Sequence, residues 1–216
     1  MPMPSILPLV TALSISVPTA AGGPPEAPGP WLQKTVEAAR KLAERKVKPD
    51  SPEETKWKTD VKATVDEILD WDELTKRSLG KAWEARSAEE KKEFSALLRQ
   101  MVEASYESKL KMAARDQLKK PSKVALTWEP EVVDGTTATA RAQVKADKTK
   151  ATLDFSLRWN DGKWRVYDVA IDDVSTVVTY RTQFAKIISE SGFPAVIARM
   201  KSKVDEIKAG KSELTP

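Results

Sequence analysis

The chain has 216 residues, 40% hydrophobic and 31% charged, enough for one ordinary domain with a buried core and a well-solvated surface. It contains no cysteine and no histidine, which excludes a disulfide framework, a thiolate metal site, a thiol nucleophile and the usual general base near neutral pH. Lys and Arg outnumber Asp and Glu by 36 to 32 with the signs interspersed, so no basic face for nucleic acid is expected, only transient contact with an anionic membrane surface.

In chain order, residues 1–21 read as a signal peptide. No charge occurs from Met1 to Gly23, an apolar run covers residues 6–17, and Thr19-Ala20-Ala21-Gly22 suits cleavage after Ala21. The run is too short to span a bilayer, and it differs from the usual signal in having no Lys or Arg before it. Residues 22–30 read as a Pro/Gly linker, 31–210 as a single domain and 211–216 as a tail.

Apolar spacing predicts a first helix over 31–45. Ser51-Pro52-Glu53-Glu54 combines an N-cap, a Pro at the first helical position and a Glu at the capping-box position, and opens a second helix to about residue 69. Asp70 to Glu73 starts a third, carrying Leu74, Leu79 and Trp83. A second capping box, Ser87 to Glu90, opens the longest helix, to about residue 114, with Phe94, Leu97, Leu98, Met101 and Val102 at helical spacing.

The period then falls to two. Val124, Leu126 and Trp128 alternate with polar or small residues, as do Ala138, Ala140, Ala142 and Val144, and then Leu153, Phe155, Leu157 and Trp159. Asn160-Asp161-Gly162 predicts a hairpin turn into a partner strand over 164–171. Helical spacing returns over 174–190, stops at Gly192 and resumes over 194–208. Helices, an antiparallel meander and helices again define an α+β domain, with about four strands curved under helices on one face and helices at both termini.

No nucleophile elbow, phosphate loop, dinucleotide fingerprint or calcium loop is present. The carboxylate pairs Asp66-Glu67, Asp72-Glu73, Glu89-Glu90 and Asp172-Asp173 are adjacent in sequence, and adjacent helical residues do not share a face. Alternation puts Asp168 on the side of Trp164 and Val166, where a carboxylate needs a partner. Arg181 on the next helix is the expected one, with a solvated sheet edge as the alternative. The apolar strand residues could equally fill a core against Leu98, Met101, Phe184 and Ile188 or line a cavity, because periodicity does not separate the two.

Three stretches go further. They are WDELTKRSLGKAWEARSAEEKKEF (71–94), LDFSLRWNDGKWRVYDVAIDDVS (153–175) with Tyr180-Arg181-Thr182-Gln183-Phe184, and the later GFPAVIARMKSK. In order and spacing they resemble the MlaC family, also called the toluene-tolerance auxiliary family, over about residues 31–206. The resemblance implies a periplasmic phospholipid carrier, not an enzyme, that needs no cofactor beyond its lipid cargo. It also implies a monomeric shuttle between an inner-membrane ABC transporter complex and an outer-membrane lipoprotein complex.

The acyl chains would then lie in an apolar pocket between sheet and helices. The candidate residues are Leu98, Met101, Leu126, Trp128, Leu153, Phe155, Leu157, Trp164, Val166, Val169, Ile171, Val174, Val177, Val178, Phe184 and Ile188. The family usually has Gly before its Val-Ser pair, whereas this chain has Asp173, either as a turn residue at positive φ or as a helix cap. Two other readings stay open at this level. One is an α+β enzyme acting on a small apolar substrate through Asp168 or Tyr167. The other is an interaction module docking through Val196, Ile197, Met200, Val204 and Ile207, if that stripe does not pack on its own domain.

Overall fold

The computed structural model of the chain describes residues 26–43, 45, 47–48, 51–119, 124–146 and 149–209; the expected signal peptide and tail lie outside them. Helix α1 spans Gly29–Ala43, so the last residues of the expected linker are already helical. Helix α2 (Pro52–Ile68) opens on Ser51, whose hydroxyl accepts the Glu54 N–H at 3.2 Å. Helix α3 (Trp71–Leu79) is capped by Asp70, which accepts the Glu73 N–H at 3.1 Å.

The third helix ends at Gly80, with φ +60°, and a Cβ there would stand 2.9 Å from Arg181 Cδ, so both conformation and space call for glycine. A 3-10 turn, Gly80–Ala82, follows, and Trp83 sits beyond the helix expected to carry it. Helix α4 (Ala88–Lys119) begins with a complete capping box: Ser87 Oγ accepts the Glu90 N–H at 3.1 Å and the Glu90 carboxylate accepts the Ser87 N–H at 2.9 Å.

The strands are β1 (Val124–Trp128), β2 (Val132–Asp134), β3 (Thr137–Ala146), β4 (Thr149–Asn160), β5 (Lys163–Ile171) and β6 (Val174–Ser175). They form one open antiparallel sheet in the order β1-β3-β4-β5-β6, and β2 also pairs with β3. The sheet has six strands where sequence periodicity resolves about four, because β2 and β6 contain three and two residues. Too few residues are present there for a period of two to be visible.

Two tight turns shape the sheet's far end. Asp161 and Gly162, at φ 50° and 77°, join β4 to β5, and Asp172 and Asp173, at φ 48° and 65°, join β5 to β6. Positive φ at both central residues is the hairpin geometry that suits the twist of flanking strands. Asp173 is therefore a turn residue, and the cap of helix α5 (Thr176–Ser191) is Ser175, which accepts the Val178 N–H at 3.0 Å. Val174 and Ser175, expected to start the helix, instead pair with β5 as β6. Gly192, at φ 78°, separates α5 from α6 (Phe193–Lys208).

Burial divides into two apolar clusters. One joins α3, α4, α5 and α6, and the stripe Val196, Ile197, Met200 and Val204 lies inside it, so the last helix packs on its own domain. The other joins the sheet to α1 through Leu32, with Trp31, Val36 and Ile68 packed against it. Leu69 touches both. No helix among the described residues is long and apolar enough to cross a membrane.

Candidate functional site

One face of the sheet is apolar across its width. The register aligns Trp128, Ala142, Leu153, Ile171 and Val174 as a single row over β1, β3, β4, β5 and β6. Parallel to it run Ala140, Phe155 and Val169, then Ala138, Leu157 and Val166. Trp128 stacks on Phe155 at 5.7 Å between ring centroids, and Trp159 meets Trp164 edge-on at the same distance.

Strand β3 supplies alanine to all three rows, while β4 and β5 supply larger side chains. Leu32 of α1, with Trp31 and Val36 beside it, packs into the same cluster as these strand residues. The entry of α1 is pinned where Trp164 Nε1–H donates to the Glu26 carbonyl at 2.9 Å. Exposure rises toward β6: Ile171, Val174 and Val178 are 47%, 55% and 45% exposed, grouped at the β5–β6 turn and the start of α5. The face is thus closed at its centre and open at one end.

The expected site residues fall into three places. Leu126, Trp128, Leu153, Phe155, Leu157, Trp164, Val166 and Val169 belong to the sheet cluster. Leu98, Met101, Val177, Phe184 and Ile188 belong to the helical cluster. Ile171, Val174 and Val178 form the exposed end. The sequence reading treats these as one lining because alternation and helical spacing mark burial without saying which buried faces meet. It overlooks Trp31, Leu32 and Val36, although the Leu32–Val36 spacing of four residues places them on one helix face.

The expected ion pair between Asp168 and Arg181 is not formed. In β5 the pairing runs Ser156 to Asp168 and then Leu157 to Val166, so Tyr167 is an extra residue, a β-bulge. The bulge reverses the alternation. Val169 and Ile171 join Trp164 and Val166 on the apolar face, and Asp168 turns to the opposite face with Ser156.

There the carboxylate accepts the Ser175 hydroxyl and, at 3.0 Å, the Val177 N–H, serving the unsatisfied start of α5. The Thr176 hydroxyl adds a bond to the Val169 carbonyl at 2.8 Å. Arg181 lies across Gly80 instead. Both Asp168 oxygens are thus committed to anchoring a helix, and the Tyr167 ring carries the Arg77 guanidinium at 4.3 Å.

A polar anchor that the sequence does not reveal ties α3 to the sheet. Asp70 accepts Arg158 Nε at 3.0 Å and Nη2 at 2.7 Å, and its own N–H donates to the Val166 carbonyl at 2.8 Å. Glu73 takes Arg158 Nη1 at 3.0 Å. Burial works against the Arg158 charge, but the Asp70 hydrogen bonds and the charges of Asp70, Glu73 and Asp72 outweigh it and raise its pKa. Among the described residues no cluster of acidic side chains suited to a metal ion is present.

A cleft of about 530 Å³ opens in the helical layer between α4, α5 and α6, lined by Met101, Tyr180, Phe184, Ile187, Arg199 and Met200 among others. Burial raises the Tyr180 pKa well above its ordinary value. The Tyr180 ring stacks on Phe184 at 5.6 Å.

Comparison with known proteins accords with this architecture. The family model described as MlaC protein matches residues 33–202. The solved structure of the phospholipid-binding protein from Ralstonia solanacearum, in complex with a phospholipid, superposes with a TM-score of 0.63 at 20% sequence identity. The match covers 81% of this chain and 97% of that one. A comparison with curated proteins gives no match.

Proposed function

The chain belongs to the MlaC family, and from that premise we propose that it is a water-soluble phospholipid carrier whose cargo lies with its acyl chains along the apolar sheet face. The observation that carries the reading is the row from Trp128 to Val174, apolar across five strands, buried at Ala142 and open at Val174. The phospholipid named with the Ralstonia structure supports the same class of cargo.

The energetic demand is large. Each methylene left in water costs about 0.8 kcal/mol, so two long chains cost on the order of 20 kcal/mol. A carrier that moves lipid through water must enclose the tails, and an apolar face needs no His, Cys or metal to do so. Chains entering at Ile171, Val174 and Val178 would run toward Phe155 and Trp128, exchanging the contacts of α1 for contacts with lipid.

The carrier works in the periplasm as a monomer, delivered there by the leader at residues 1–21. It passes lipid between an inner-membrane ABC transporter complex and an outer-membrane lipoprotein complex, touches membrane surfaces transiently and makes or breaks no covalent bond. Purification of the mature chain, solvent extraction and mass spectrometry test the binding. Co-purified phospholipid is expected, and protein that stays lipid-free and takes none from vesicles would end the carrier reading.

A further inference from the structure

We infer that the cleft between α4, α5 and α6 is a second ligand site, separate from the sheet face, which takes a single-chain amphiphile with an anionic head. The cleft holds about 530 Å³, within the range of small-molecule sites. Its floor is apolar, formed by Met101, Phe184 and Met200, all buried, with Ile187 at the side. Its rim is polar, with Arg199, Lys203, Gln183 and Glu206.

Two features go beyond a gap between helices. Tyr180 lines the cleft at 2% exposure, and its hydroxyl has no hydrogen-bond partner among the described residues. Buried hydroxyls are seldom left without a partner, and a ligand head or a water held with it would supply one. Arg199 is exposed at the rim and makes no hydrogen bond or ion pair among the described residues, so its guanidinium is available to a carboxylate or phosphate.

The spacing explains why these groups meet. Tyr180, Gln183, Phe184 and Ile187 follow one face of α5, and Arg199, Met200, Lys203 and Glu206 follow one face of α6. The two faces form the walls, and Met101 of α4 lies between them. Glu206 accepts the Ser202 hydroxyl at 3.3 Å and opposes an anion, so Arg199 must supply the attraction. One apolar chain with one small anionic head fits this polarity; a fatty acid and a single-chain phosphate ester share that chemistry.

The test is calorimetric titration of the delipidated chain with dodecanoate and dodecyl phosphate below their micelle concentrations. Dodecanol and inorganic phosphate serve as the headless and tailless controls, and titrations are repeated in the Val174→Glu background to remove the sheet site. Saturable binding of one amphiphile, tighter than either control, is expected in the Val174→Glu background, and the same component should be present in wild type. Arg199→Glu should weaken both anions by roughly tenfold while leaving dodecanol unchanged, and Ile187→Trp should abolish binding by filling the cleft.

Tyr180→Phe, which keeps the ring stack, should weaken binding severalfold. Thermal melts confirm that each variant is folded, and phospholipid retention by mass spectrometry should be unchanged in Arg199→Glu. Binding lost with Val174→Glu but indifferent to Arg199→Glu and Ile187→Trp would place the amphiphile on the sheet and overturn the inference. Absence of saturable binding in a folded chain that still retains phospholipid would overturn it without touching the carrier reading.

Discussion

Asp70 and Arg158, 88 positions apart, are joined by two hydrogen bonds of 3.0 and 2.7 Å, with Asp70 only 3% exposed. The same aspartate caps α3 and bonds through its N–H to the Val166 carbonyl, so one residue sets the helix start and its attachment to β5. Removing its carboxylate takes two hydrogen bonds from the Arg158 guanidinium and leaves the Glu73 N–H without its cap at once.

Asp70→Ala is therefore expected to destabilise the domain by about 2–4 kcal/mol. Arg158→Ala alone should also be costly, and the double variant should cost less than the sum of the two. Urea denaturation of the set measures the coupling. Independent, additive losses would show that the two side chains do not act together.

Asp168 anchors the start of α5 and does not serve as the partner of Arg181. Asp168→Ala should cost about 1–2 kcal/mol, as the loss of a cap and a charge-assisted bond requires. Arg181→Ala should change stability by less than about 0.5 kcal/mol. Thermal melts of both variants decide the matter, since an ion pair would make the two losses similar.

Val174→Glu places a carboxylate at the open end of the apolar row. The variant should fold with an unchanged melting temperature, because the position is exposed, and should lose co-purified phospholipid. Mass spectrometry of extracts from wild type and variant reads this directly. Equal lipid content in both would move the cargo away from β6.

Asp173 holds φ 65° in the β5–β6 turn, where a glycine would be unstrained. Asp173→Gly is expected to raise stability by about 0.5–1 kcal/mol, and Asp173→Val to lower it by more than that. The Arg141 contact at 3.4 Å, between exposed side chains, is too weak to reverse the order. Chemical denaturation of both variants gives the ranking.

Much of the fold was legible because the signals were local. Ser51, Asp70 and Ser87 announce helix starts through side-chain chemistry that the structure reproduces bond by bond. Asn160-Asp161-Gly162 marks its hairpin for the same reason. The site was less legible because it depends on which buried faces meet. The spacing of Met101 and Phe184 is as apolar as that of Leu153 and Phe155, yet the first pair belongs to a helical cluster and the second to the sheet. The Asp70–Arg158 anchor joins residues whose separation carries no periodic signal.

Tyr167 changes the parity of its strand. Counting in twos from Trp164 would bring Asp168 and Ala170 onto the apolar face; the inserted residue brings Val169 and Ile171 there instead. Deleting one residue at this point would do more than shorten a strand. It would exchange the two sides of its second half, withdrawing the acid from the foot of α5 and setting it in the path proposed for the tails. A single-residue deletion here should therefore damage the helix anchor and the lipid face together, two features that point substitutions can separate.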